Sequence, residues 1–362
     1  MKALAWTNKG IEFLAAQELK LLKINQIETK GQLLLFDIPS YDNLAMLCYC
    51  ARSIRGVILL LGSANNDDLL TAINKASFPV WFNSKTSFAA RCHGLDSSPA
   101  LSEAEVGNLV NEKTGSKVDL TNPQVTFLVI SQDNLCYFGV DFAGTDLGKR
   151  DYKVFSTRQS LKGNVAFSML LLAGFKPSQV LLDPFGRDGI IGIEAALFSL
   201  AKSPHFFNRE KFAFVKLSLG LDKFSAWDKS ISKPSDIRIY DSLFHNVAAI
   251  KKNARIAGVD KTIAVSRIDV DWLDVKMGRE SVDAIVSYPP QLTLRSDAKA
   301  IAKLYGELFH QAEFVLKKNC RMVLAMHSID VLNGIKTSLK QEKPIAAYQG
   351  DAVLFLVVLQ KL

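Results

Sequence analysis

Three aspartates close three successive apolar segments in the second half of the chain. Asp183 ends VLLD, Asp241 ends IRIYD, and Asp269 follows TIAVSRI. If these segments are parallel strands, ligands lie beyond their carboxyl ends, and the three carboxylates share one binding edge. Asp183 runs into a turn, Pro184 to Gly189, that opens a helical run at Ile190. Such a turn brings backbone N–H groups and a helix N-terminus against a ligand. Asp183 can then hold an ammonium group, Asp241 can accept from a pair of ribose hydroxyls as in nucleotide-binding sheets, and Asp269 is placed for an amino group such as that of adenine. Phe185 and Gly189 are expected in the same wall. Any one of these acids alone would serve equally as a helix N-cap; the series of three argues for a ligand. Further along, VDAIVS leads into Tyr288-Pro289-Pro290-Gln291, whose paired prolines rigidify a loop at a fourth strand end.

The elements needed to position these residues can be read from the pattern. From Asn164 onward, helical stretches alternate with the short apolar runs VLLD, IRIY, TIAVS, DAIVS and RMVLAM. That alternation predicts a doubly wound parallel sheet over 164–362, with AVLFLVVLQ as a further buried strand and an insertion rich in Phe and Lys at about 203–235. The first half reads differently. Gly10–Leu22 has helical spacing, GQLLLFDI and RGVILLLGS read as strands, and DNLAMLCYCARSI lies between them as a helix, giving a small α+β unit over 1–65. A second unit over 66–146 holds the strand TSFAARC, a helix with the capping box Ser102/Glu105 and a Gly115 C-cap, and two strands joined by a polar turn at Gln132–Asn134. Residues 147–163 form a polar, basic connector.

The chain has 362 residues and a formal charge of +8. Residues 1–150 carry 14 Lys+Arg against 15 Asp+Glu, and residues 151–362 carry 30 against 21. The excess of cations thus lies with the half that carries the three acids, which suits a polyanion such as RNA, although a solvated basic surface explains the same numbers. Five cysteines without a CxxC pair fit a reducing cytoplasm and give no metal site. The N-terminus lacks a signal peptide's apolar region, and no apolar run is long enough to span a membrane.

DPFGRDGIIGIEAAL resembles the DPFCGSGTIGIEAAL signature of the THUMP-containing RNA methyltransferases, which methylate guanosine N2 in tRNA or rRNA. The resemblance extends along the chain through TNKGIEFLAAQELKLL, ARSIRGVILLLG, TGSKVDLTNPQV, KRDYKVFSTRQSLKGNVAFSMLLLAG, REKFAFVKL and NVAAIKKNARIAGV. It implies an α/β architecture: a Rossmann-like class I methyltransferase domain preceded by α+β ferredoxin-like and THUMP domains. It also implies S-adenosylmethionine as cofactor, held by Asp183, Phe185, Gly189, Asp241 and Asp269, and an RNA substrate, tRNA above others. Tyr288, Pro289 and Pro290 would present the target base. Lys117 in the THUMP-like segment is an RNA-contact candidate by resemblance. Lys149, Arg150, Lys153, Arg158 and Lys162 of the connector form a local basic cluster with Tyr152 and Phe155 interleaved as stacking groups. Neither a protein partner nor an oligomeric state follows from the sequence.

Two departures from the family pattern bear on activity. Arg187 stands where the family has Gly in the cofactor loop, with Ile190 in place of Thr and Gly186 at a position that is often Cys. The family tetrapeptide Asn-Pro-Pro-Tyr, or Asp in the first position, is Tyr288-Pro289-Pro290-Gln291 here. In the family the Asn or Asp oxygen and the following backbone carbonyl accept the two N–H bonds of an exocyclic amine, and the fourth residue stacks on the flipped base. Two functions follow: an S-adenosylmethionine-dependent RNA methyltransferase, or a catalytically degenerate tRNA-binding protein acting as RNA chaperone or complex subunit.

Overall fold

The computed structural model describes residues 1–95, 102–157, 159–228, 234–292 and 297–362. The chain packs as two compact units. One comprises Met1–Thr7, Ala15–Leu147 and Asn208–Trp227; the other comprises Asn8–Leu14, Gly148–Phe207 and Asp228–Leu362.

The first unit is built on one eight-stranded sheet. Its strands are β1 (Lys2–Trp6), β2 (Glu28–Lys30), β3 (Leu33–Asp37), β4 (Gly56–Asn65), β5 (Ser87–Gly94), β6 (Lys117–Val118), β7 (Val125–Gln132) and β8 (Leu135–Asp141), in the order β2-β3-β1-β4-β8-β7-β5-β6. The stretches read as two α+β units are thus joined edge to edge, because β4 pairs antiparallel with β8. The helices in this part of the chain are α1 (Glu12–Leu21), α2 (Tyr41–Cys50), α3 (Leu69–Lys75) and α4 (Glu103–Thr114). Local chemistry sets their ends. Ser40 caps α2 by accepting the Asn43 N–H, and Ser102 with Glu105 forms the expected capping box on α4. Gly115 ends α4 in the left-handed region at φ +70°. Asp133 and Asn134, both at positive φ, make the tight turn between β7 and β8. Residues Asn208–Trp227 of the Phe-rich insertion belong to this unit as well. Its short helices α7 (Ala213–Lys216) and α8 (Phe224–Trp227) bring Phe212, Phe214 and Phe224 into the core beside Tyr49 and Phe142.

The second unit carries the parallel sheet. Its strands are β9 (Val180–Asp183), β10 (Asp236–Asp241), β11 (Ile263–Arg267), β12 (Val282–Ser287), β13 (Leu316–Met326), β14 (Lys340–Gln341), β15 (Ile345–Gln349) and β16 (Ala352–Gln360). The order is β11-β10-β9-β12-β13-β16-β14, with β15 also on β16. β9 through β13 run parallel and β16 returns antiparallel. The connecting helices are α5 (Gly163–Leu172), α6 (Ile190–Ser199), α9 (Phe244–Ile256), α10 (Leu273–Lys276) and α11 (Ala298–Val315). Every residue of α5 is buried, as a helix apolar on all sides must be. The chain leaves β9 toward β10 and β11 and then crosses to β12 on the other side of β9. The switch point therefore falls at the carboxyl ends of β9 and β12, where an open α/β sheet forms its crevice.

Candidate cofactor and amine-acceptor site

Four strand ends meet at this crevice. Asp183 closes β9, Asp241 closes β10, Asp269 follows β11, and Ser287 closes β12 just before Tyr288. A cavity of about 110 Å³ is lined by Pro184, Phe185, Arg187, Asp241, Asn246, Asp269 and Pro290, among others. A wider groove of about 610 Å³, lined by Phe155, Thr157, Gln159, Leu243 and His245, shares Arg187 and Asn246 with it.

Asp183 is fully buried. Its Oδ1 accepts the Ser287 hydroxyl at 2.5 Å and the Phe185 N–H at 3.3 Å, while Oδ2 is buried without a donor. Burial pushes its carboxyl up from 3.8 to about 7, and the Asp241 charge adds to the effect. A buried carboxylate with one unsatisfied oxygen is matched to a cationic amine. Asp241 is more occupied: it accepts the Arg187 N–H at 3.0 Å, the Leu243 N–H at 2.9 Å and the Asn246 amide at 3.0 Å on each oxygen. Those bonds fill the four lone-pair directions of a carboxylate, so a ribose diol there has to displace Asn246. Asp269 sits at the N-cap position of the turn Val270–Trp272, yet its side chain caps nothing. Its exposed carboxylate is therefore open to the cavity it lines. An orphaned buried oxygen behind the turn that borders the cavity, and an uncommitted acid on the cavity wall, fit the amine and base ends of S-adenosylmethionine.

The turn between Asp183 and α6 is shaped by two glycines. Gly189 has φ +84°, a conformation side chains disfavour. At Gly186, an added Cβ would stand 2.3 Å from Ile239 Cγ2 and 2.8 Å from Ile250 Cδ1, so a larger residue has to push aside side chains of β10 and α9. Arg187 also has positive φ, at 52°. Its Nε donates to the Tyr288 carbonyl at 2.5 Å and Nη2 to the Pro289 carbonyl at 2.6 Å, with the guanidinium carbon 4.8 Å from the centre of the Tyr288 ring. Burial lowers the Arg187 pKa.

The Tyr288 side chain does not point its oxygen at the crevice as an acceptor. The hydroxyl bonds His327 Nε2 at 2.9 Å. Gln291 braces the loop from behind, donating to the Pro289 carbonyl at 2.6 Å and the Ala325 carbonyl at 3.2 Å and accepting the His327 N–H at 2.7 Å. The Tyr305 hydroxyl donates to the Pro290 carbonyl. The loop thus offers backbone carbonyls rather than a side-chain amide oxygen.

Sequence reasoning passed over Ser287, Asn246, His327 and Tyr305. Ser287 and Asn246 carried a local signal, as polar residues one before Tyr288 and five after Asp241; His327 and Tyr305 carried none.

The basic cluster does not hold as one surface. Arg150 is 5% exposed, and its Nε donates to Glu194 Oε1 at 2.6 Å, Nη2 to Oε2 at 3.1 Å, with the Tyr152 hydroxyl on the same carboxylate. A guanidinium so enclosed does not reach a phosphate, which corrects its reading as an RNA contact. Tyr152 is likewise buried and no stacking platform. Lys153 is drawn inward, donating to the Ser160 hydroxyl and the Leu161 carbonyl, and burial lowers its pKa. Lys149 is exposed, Lys162 is half-buried, and Phe155 stays at the surface with Lys252 Nζ 4.5 Å from its ring centre. Lys117, on the two-residue edge strand β6, is exposed. Arg158 lies outside the described residues.

A parallel sheet of this order, with acids at successive carboxyl ends and a glycine turn into the first helix, defines the Rossmann-like methyltransferase class of fold. The chain belongs to the RMKL-like methyltransferase domain family, UPF0020, whose model matches residues 150–350. A THUMP domain model matches residues 63–141. Two relatives bear the name tRNA (guanine(6)-N2)-methyltransferase. That of Methanocaldococcus jannaschii is 26% identical, with 87% of each chain covered. That of Archaeoglobus fulgidus is 29% identical, covering 87% of this chain and 80% of its own. The crystal structure of TrmN from Thermus thermophilus superposes with a TM-score of 0.75 at 20% identity, covering 100% of this chain and 99% of that one. No described helix is long and apolar enough to cross a membrane.

Proposed function

We propose that this protein transfers a methyl group from S-adenosylmethionine to an exocyclic amine of RNA, guanosine N2 in tRNA. The observation that carries the reading is the placing of Asp183, Asp241, Asp269 and the Tyr288-Pro289-Pro290 loop at neighbouring strand ends of one switch point, with Asp241, Asp269 and Pro290 lining its cavity. The bound cofactor supplies an electrophilic methyl group. Asp183 receives the cofactor's ammonium, Asp241 its ribose hydroxyls and Asp269 its adenine amine. Phe185 and Gly189 shape the wall.

The amine's lone pair is delocalised into the base, which makes it a poor nucleophile. Two acceptors on its N–H bonds turn that lone pair toward the methyl and hold the reacting atoms in line. The carbonyls of Tyr288 and Pro289 are adjacent, rigidified by the two prolines, and already spaced to receive two N–H groups of one planar cation. The excess of cations after residue 150, the exposed Lys149 and Lys117, and Lys162 support a polyanionic substrate. The names of the relatives support tRNA and guanosine N2 within that class. The five cysteines, none in a disulfide, favour the cytoplasm.

The second reading is an RNA-binding module without catalysis, favoured by the occupation of both carbonyls by Arg187. Calorimetric titration of the full chain with S-adenosylmethionine, and separately with unmodified tRNA, separates the two. Micromolar binding of both is expected. Binding of tRNA with no heat from millimolar cofactor would sink the methyltransferase reading and leave the module.

A further inference from the structure

We propose that Arg187 is a latch on the amine-acceptor loop, opened by a carboxylate arriving in the cofactor cavity. The inference rests on the methyltransferase reading above and deepens it.

The guanidinium makes the contacts the substrate needs. It spends Nε–H on the Tyr288 carbonyl and an Nη–H on the Pro289 carbonyl, and it lies over the Tyr288 ring. With the Tyr288 hydroxyl committed to His327 and the Gln291 amide donating to one lone pair of the Pro289 carbonyl, the Tyr288 carbonyl and the second lone pair of Pro289 are what the loop presents at Arg187. Guanine's 2-amino group also presents two coplanar N–H bonds, the pair that the acceptors take in the reaction proposed above. A pair of carbonyls that grips one edge is matched to the other, and the two cannot be held together.

The latch is also poised to leave. Among the described residues Arg187 forms no ion pair, although it is a half-buried cation. Its neighbours on the loop are neutral carbonyls, and a partly desolvated guanidinium gains more from a carboxylate than from them. The side chain borders both the cavity of Asp241 and Asp269 and the wider groove of Thr157 and Gln159. A short rotation therefore carries it from the acceptor loop toward the cavity. Its backbone does not need to follow: the left-handed conformation at φ 52° is pinned by the N–H bond to Asp241. The Asp241 and Asp183 charges act on the guanidinium without pairing with it, and the amino-acid end of the cofactor brings an anion able to pair. Acceptor carbonyls would then be uncovered only when the methyl donor is in place, an order of events that holds back target binding by the empty protein.

The test uses the full chain with ¹⁵N-labelled arginine. The Arg187 Nε–H resonance is assigned by its absence from Arg187→Gly, a substitution that suits the positive φ and so retains the turn. Two ligands are compared: S-adenosylhomocysteine, and its decarboxylated analogue that keeps the amine. S-adenosylhomocysteine is expected to shift the Arg187 resonance and the analogue to leave it in place. Wild type is expected to favour S-adenosylhomocysteine at least tenfold, with that preference falling at least tenfold in Arg187→Gly and largely kept in Arg187→Lys. An identical shift with both ligands, or a preference unchanged in Arg187→Gly, overturns the latch and leaves the cofactor reading standing. Failure of wild type to bind either ligand overturns both.

Discussion

Replacing Asp183 by asparagine tests the electrostatics of the crevice directly. The substitution keeps the oxygen that accepts from Ser287 and Phe185 and removes only the charge. In the folded chain burial raises the Asp183 carboxyl from 3.8 to about 7. The folded state therefore holds the proton more tightly than the unfolded one, and the stability this confers is full below pH 3.8 and is lost as pH rises toward 7. At about 1.4 kcal/mol for each tenfold of proton affinity, the whole loss is about 4 kcal/mol, of which about 3 kcal/mol falls between pH 5 and pH 8. Asparagine does not titrate, and the amide placed at the orphaned Oδ2 adds an offset that does not vary with pH. Urea denaturation of both proteins across this range should show the variant gaining about 3 kcal/mol on wild type between pH 5 and pH 8. Taking the difference cancels the other titrating groups, including Asp141, whose carboxyl burial also raises to about 7. The same variant should lose binding of S-adenosylmethionine. Parallel pH trends within about 0.5 kcal/mol would refute the buried, unsatisfied carboxylate and with it the reason to place an ammonium there.

Other substitutions separate structural cations from those that meet RNA. Glu194→Ala strands the buried Arg150 guanidinium and should cost about 3–5 kcal/mol in chemical denaturation. Lys149→Ala should lower the slope of log affinity for tRNA against log salt by about 0.7–0.9, while Arg150→Met, whatever it does to stability, should leave that slope unchanged. Gly186→Ala should cost about 1–3 kcal/mol because Ile239 and Ile250 have to be pushed aside by a methyl group; a neutral result in a thermal melt would show that the turn is looser than its packing implies.

What could be read from the sequence follows the range of the interaction. The capping box at Ser102 and Glu105, the Gly115 cap and the turn at Gln132–Asn134 are set within a few residues, and they appear as expected. The acids at the ends of β9 and β10 were legible because a buried parallel strand is a short apolar run with a visible end; the edge strand β11, mostly exposed, still shows as the short run TIAVS before Asp269. Arg150 was not. KRDYK looks like a solvated cluster, and its partner Glu194 is 44 residues away. A signal was present on the partner's side, since a lone glutamate inside the apolar helix IIGIEAAL requires a buried counter-charge. The grip of Arg187 on Tyr288, across 101 residues, had no local signature. The departures at both positions were visible separately, and their contact depends on the β9–β12 pairing. The Phe-rich insertion showed its composition but not that Phe212, Phe214 and Phe224 complete the core of the first unit.

The most direct measurement is methyl transfer itself: incubation of the full chain with S-adenosylmethionine and undermodified tRNA, digestion to nucleosides, and mass spectrometry. N2-methylguanosine formed in proportion to enzyme, and lost in Asp183→Asn, is the expected result. A chain that binds both cofactor and tRNA yet leaves every nucleoside unmethylated would contradict the assignment of the Tyr288-Pro289-Pro290 carbonyls as a working amine-acceptor site.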